Sequence, residues 1–270
     1  MRRDADGRRD RAPYVNVTSE SGWEARIDFV VGGVQKGGTT ALDAMLRVHP
    51  GITMAPNKEV HHFDSDWSSR DGGTEHARYN ALWGASLGRL ACGESTPIYC
   101  WWPPAVERIR DYNPAMKWIV LLRNPADRAY SQWNMNRSNA TVGGTFEEAL
   151  DDEVRMQSER PGYYSRDHSY LSRGLYAGQI ERLIGIFSRE RILVLRSEWL
   201  HGANLERTYS DILAHLGVAP APTPIEVRSN VGRYEHRMEP GTRAKLVEFF
   251  EPDIRRLEAL LGWDLSDWLK

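Results

Sequence analysis

Cysteine is nearly missing from this 270-residue chain, which carries only Cys92 and Cys100. Eight residues apart, they make neither a disulfide framework nor a zinc pattern, and two buried thiols are expected. Lysine is scarce too: Lys36, Lys58, Lys117, Lys245 and Lys270 are five of the 35 basic residues, and the rest are Arg. A high-GC coding bias accounts for that exchange, so any cation assigned to an anion needs a positional argument. The net charge is −2, with no global basicity for nucleic acid or an anionic membrane. No apolar run approaches the length of a membrane span. The opening MRRDADGRRDRAP has charges but no hydrophobic stretch, so it reads as neither a secretory nor a twin-Arg signal, and a cytoplasmic location is expected. The sequons at Asn16 and Asn139 are then fortuitous. No repeat is visible. His61 and His62 are adjacent and cannot reproduce helical i,i+4 ligand spacing, so no metal is expected.

What remains is ordinary globular composition, with 41% hydrophobic and 27% charged residues. The length suits one large α/β domain with its own core. Residues 1–22 read as a polar, flexible tail and 23–270 as a single domain. Buried strands are predicted at 27–31, 52–54, 90–93, 118–122 and 192–195. Helices are predicted from Thr39 to the His49-Pro50-Gly51 stop, and over 103–112, 146–157 and 170–187. Others run from the Asn124 cap to about Asn136, and from an Asn204 cap to Gly217. A last helix over 240–261 is expected to kink or split at Pro252. Residues 65–80 read as a loop with a short helix, and 219–238 as a loop. Strands alternating with helices imply a P-loop-like, three-layer α/β fold around a mainly parallel sheet, with ligands at the carboxyl ends of the strands.

Between the first strand and first helix lies Gly33-Val34-Gln35-Lys36-Gly37-Gly38-Thr39-Thr40. Glycines let backbone N–H groups converge there, the helix end adds partial positive charge, and Lys36 adds a full one. This is a phosphate cradle in pattern, against a plain βα turn with a surface Lys. An ATP-binding Walker A loop ends in Gly-Lys-Ser/Thr, whereas here the lysine precedes the glycines and no magnesium-holding acidic strand end is evident.

The loop resembles the 5′-phosphosulfate loop of sulfotransferases that use 3′-phosphoadenylyl sulfate (PAPS). Three more segments resemble that family, in its order. Arg123 to Ser131, in RNPADRAYSQW, is similar to its 3′-phosphate motif. Lys58-Glu59-Val60-His61-His62-Phe63-Asp64 resembles the acid-bearing segment of the heparan sulfate and related carbohydrate sulfotransferases. Gly93-Glu94-Ser95-Thr96-Pro97 resembles a segment that usually has Lys where Ser95 stands, a departure that counts against a uronate-containing acceptor.

The resemblance implies that Lys36, Gly37, Gly38, Thr39 and Thr40 hold the 5′ end of PAPS and of its product PAP. It implies that Arg123 and Ser131 hold the 3′-phosphate, with Gly232-Arg233 closing over it. The alternative for Arg123 is a structural pairing with Asp127. Glu59 is the candidate base for the acceptor, and His62, with an unshifted pKa near 6.5, is the rival. Lys36 should also stabilise the leaving-group oxygen. Glu94 is expected to orient backbone or Lys58, or to sit in a salt bridge. Trp67, Trp101 and Trp102 are candidates to stack on an acceptor. The implied activity is sulfuryl transfer to a hydroxyl, or an amine, of a carbohydrate or glycosylated or small-molecule metabolite. A P-loop small-molecule kinase and a non-catalytic PAP-binding regulator are the alternatives.

Overall fold

The computed structural model describes residues 26–65, 72–88, 90–224 and 237–270. Its centre is the continuously apolar stretch predicted from sequence. Strands β1 (Phe29–Gly33), β2 (Ile52–Met54), β3 (Ala91–Ser95), β4 (Lys117–Leu122) and β5 (Ile192–Arg196) form one sheet in the order β2-β3-β1-β4-β5. Every pairing is parallel. Buried on both faces, such strands need no polar alternation.

The period-two pleat divides the core. Phe29, Val31, Ile119 and Leu121 face helices α1 (Thr39–Arg47) and α7 (Leu205–Leu216). Val30, Trp118, Val120 and Leu122 face the other way, toward α3 (Pro103–Tyr112), α4 (Pro125–Ser138), α6 (Tyr176–Ile186) and α8 (Pro240–Leu261). The expected three layers result. The short α2 (Gly72–Asn80) follows β2, and α5 (Phe146–Glu159) follows α4. Cys92 and Cys100 are free and buried, and burial pushes both thiols up to about 12.

Caps explain most boundaries. The Asn124 side chain accepts from the N–H groups of Ala126 and Asp127, with Pro125 in the first turn. Thr145 and Glu148 close a capping box on α5. Gly217, at φ 76°, ends α7. Three expectations need correction. The helix predicted from residue 170 begins at Tyr176, because the Glu153 carboxylate accepts the N–H groups of Tyr170, Leu171 and Ser172 and satisfies them outside a helix. Asn204 precedes α7 in a 3-10 turn and makes no side-chain cap. Helix α8 is a single element that contains Pro252 rather than splitting there. The tail 1–22 lies outside the described residues.

Candidate active site

The loop between β1 and α1 opens where β1 sits between β3 and β4, at the point where chain connections diverge to opposite sides of the sheet. Its path is backbone-built. Val34 N–H donates to Leu121 O at 2.9 Å, and Gly37 N–H donates to Val34 O at 2.9 Å. A Cβ on Gly37 would lie 2.5 Å from Leu121 O and 2.9 Å from Val34 O, so only glycine fits without movement. Gly38, at φ 94°, caps α1 without a side chain, which leaves the helix end facing the loop as an anion-receptive surface.

Lys36 stands at the turn of this loop with φ 69°. Its Nζ lies 3.6 Å from Met135 Sδ on α4. Burial, then the charge of Arg123, lowers its ammonium pKa, and the charge of Glu59 opposes them. Arg123 follows β4 and donates to Lys36 O at 3.2 Å, while its own carbonyl accepts from Tyr176 Oη at 2.8 Å. Asp127, its alternative structural partner, is taken by Arg243 instead. Ser131 is buried on α4 four residues before Met135, hence on the helix face that meets Lys36. The loop, Arg123 and Ser131 are therefore brought together. Gly232, Arg233 and Trp67 lie outside the described residues.

The acid-bearing segment follows β2 and packs against the end of β3, where Glu59 N–H donates to Ser95 O at 3.0 Å. Glu59 has φ 62° and His61 φ 55°. Such left-handed conformations cost non-glycine residues on the order of 1 kcal/mol each and collect at functional sites. Lys58 Nζ lies 2.6 Å from Glu59 Oε1, and His61 Nε2 lies 3.6 Å from Glu59 Oε2. His61 Nδ1 lies 2.8 Å from Asp64 Oδ2. Burial pushes the Glu59 carboxyl up, but the bond from His61 and the charge of Lys58 bring it down to about 2. His61 is raised to about 9 by its bonds to Asp64 and Glu59, so it is a cation at neutral pH.

His62, the rival base, is placed differently. It is 1% exposed, stacked on Tyr79 with ring centres 4.0 Å apart, with its Nε2 2.9 Å from His76 Nδ1. Burial and His76 hold its pKa near 3, so it is a neutral core residue. Among the described residues Glu94 meets no cation. It is fully buried and accepts from the hydroxyls of Tyr79, Thr96 and Tyr99, which corrects the salt-bridge and Lys58 expectations. Ser95 Oγ is buried with no hydrogen-bond partner among the described residues. Trp101 and Trp102 lie under the guanidinium groups of Arg173 and Arg166, at 4.4 and 4.6 Å to the ring centres. Sequence reasoning missed His61, Asp64 and these two arginines. The three-residue spacing of His61 and Asp64 was the one available signal.

Known proteins are similar to this chain in sequence and in architecture. A family profile described as "Sulfotransferase domain" matches residues 104–251, a span that holds Arg123 and Ser131. Human heparan sulfate glucosamine 3-O-sulfotransferase 3B1 is 30% identical over 189 residues, covering 70% of this chain and 46% of that protein. Mouse carbohydrate sulfotransferase 15 is 26% identical over 304 residues, covering 89% of this chain and 54% of that protein. The chain thus spans about half the length of these curated relatives. The crystal structure of a sulfotransferase from Alicyclobacillus acidocaldarius is 31% identical, with a TM-score of 0.77, and the match covers 91% of this chain and all of that one.

Proposed function

The chain belongs to the sulfotransferase domain family, and from that premise we propose that it transfers a sulfuryl group from PAPS to a hydroxyl of a carbohydrate or glycosylated small molecule, an amine being the second choice. One observation carries the reading. Glu59, on the segment after β2, is tied by its N–H to Ser95 O at the end of β3, the strand beside β1, and its charge there reaches Lys36 on the loop after β1. A donor-binding cation and a carboxylate base then share one site.

The residues present fit a doubly phosphorylated nucleotide. The α1 end, Gly37, Gly38, Thr39 and Thr40 would receive the 5′-phosphate, and Arg123 with Ser131 would receive the 3′-phosphate through charge-assisted hydrogen bonds. PAPS supplies the activated sulfuryl group. Lys36, a partly buried cation at the loop's turn, would stabilise the charge that grows on the bridging oxygen as the sulfur–oxygen bond breaks. Glu59 would take the acceptor's proton as the new bond forms. Its low pKa makes it an ionised but weak base, which suits a proton that leaves only as the acceptor oxygen loses electron density. His61, charged and hydrogen-bonded to Asp64, aims Glu59.

The test pairs two measurements. Calorimetry should show PAP binding tighter than ADP by about 10- to 100-fold, since a charge-assisted contact contributes roughly 1.5–3 kcal/mol. Equal affinities would remove Arg123 and Ser131 from the 3′-phosphate site. Transfer of labelled sulfate from PAPS to a panel of sugar acceptors should then persist in EDTA. Activity that vanishes with EDTA and returns with magnesium would transfer the leaving-group role from Lys36 to a metal ion.

A further inference from the structure

We propose that Arg166 is a positioning residue for Glu59: anchored on Asp64, it fixes the line of side chains that aims the base. This inference rests on the reading of Glu59 as the base.

Asp64 is the hub. Its side chain is fully buried, and its Oδ2 meets both His61 Nδ1 and Nη1 of Arg166, while its Oδ1 has no partner among the described residues. The other Nη of Arg166 donates to the main-chain carbonyl of Asp64. This two-pronged grip comes from residue 166, in the connection between α5 and α6, 102 positions away in sequence.

Arg166 is itself held. Its guanidinium lies over Trp102, and its main-chain carbonyl accepts from Arg173 Nη2 at 2.6 Å. Arg173 is 3% exposed, stacks on Trp101, and donates through Nη1 to the side-chain oxygen of Gln35 in the donor loop. Contacts therefore run from Gln35 through Arg173, Arg166, Asp64 and His61 to Glu59, the final link being an ion pair at 3.6 Å. The donor loop and the base are two ends of one braced line. Placing reacting groups to within a fraction of an ångström brings large rate factors, so a brace of this kind has a kinetic consequence.

The charges give the brace a signature. His61 is faced by Glu59 and Asp64, Glu59 also by Lys58, and Asp64 also by Arg166 from the α5–α6 connection; the charge of Glu59 reaches Lys36, and Glu94 feels Asp64. His61 and Arg166 are like charges on the same carboxylate oxygen. Removing Arg166 takes away that repulsion, so His61 should hold its proton more tightly even as Glu59 loses its alignment.

The experiment uses the full chain and Arg166→Gln. The His61 imidazole should titrate higher than in the wild type by NMR, kcat should fall about 10- to 100-fold, and acceptor KM and PAP affinity should stay within about twofold. Arg166→Lys keeps the charge but not the two-pronged grip, so it should return the His61 titration toward the wild-type value while restoring only part of kcat, and it also serves if the Gln variant does not fold. An unmoved His61 titration, or a raised acceptor KM with unchanged kcat, overturns the positioning role; the latter would make Arg166 an acceptor-binding residue. Failure of the underlying reading looks different: a wild type that transfers no sulfuryl group, or an undiminished Glu59→Gln, overturns Glu59 as base whatever Arg166 does to His61.

Discussion

In the donor loop the backbone does the holding, whereas around Glu59 the side chains do. Residues 34–40 are shaped by the Val34 and Gly37 hydrogen bonds, by a helix end, and by a glycine pressed against Leu121 O. Residues 58–64 are held through Lys58, His61, Asp64 and Arg166. The difference teaches that the two halves of one site should fail in different ways. The first is intolerant of added atoms and indifferent to pH in its backbone; the second tolerates shape but depends on charges that titrate.

The largest expected effect lies on the side-chain half. Glu59→Gln keeps the shape of the base and removes its proton-accepting ability, so kcat should fall about 10²- to 10⁴-fold while calorimetric PAP affinity is unchanged. A fully active variant would move the base elsewhere and leave the comparison with only one half. The counterpart on the backbone half is Gly37→Ala. Its Cβ would meet two carbonyl oxygens under 3.0 Å, and relief requires the loop to move. A loss of about 1–3 kcal/mol in stability, read from thermal or denaturant melting, is expected together with weakened PAP binding. A variant that melts normally and binds PAP normally would show that the loop is not set by that close approach.

The smallest effect is that of pH. His61 has a folded pKa near 9, above its ordinary value of 6.5, so the stability it lends is fully present below about 6.5 and is lost as pH rises through 9. Glu59 works in the opposite direction: depressed to about 2, it lends stability above 4.5 that disappears as pH falls toward 2. Both side chains are about two-fifths exposed, so solvent screening keeps each contribution small. Melting temperature should decline gently between about pH 7 and 10, and His61→Asn should flatten that stretch. The Lys36 ammonium, held below its ordinary pKa chiefly by burial, acts in the opposite direction, because its deprotonation at alkaline pH favours the folded state; a decline that survives His61→Asn would therefore take the alkaline limb away from His61 without passing it to Lys36.

The sequence by itself was enough for the fold class and the strand positions to within a residue or two, and it marked the glycine-rich turn after β1 and the helix start at Asn124. All of these rest on short-range signals: apolar runs, glycine spacing, and an Asn-Pro helix start that the structure reproduces atom by atom. The segment that carries Glu59 was legible through its motif. The choice between His61 and His62 was not, because adjacent residues share a composition and differ only in which way a left-handed backbone turns them, one toward Glu59 and Asp64 and the other onto Tyr79. Nor could the helix start at Tyr176 be read locally, since the Glu153 carboxylate that replaces a helical turn at 170–172 comes from another element. Arg166 and Arg173 were hidden most fully. A guanidinium finds its carboxylate or carbonyl through the fold, across separations of 102 and 138 residues, and nothing in the neighbouring sequence records that meeting. Local chemistry determined the shape of the glycine-rich loop; only the packing that brings Arg166, from the α5–α6 connection, onto Asp64 decided how the side chains around Glu59 are held.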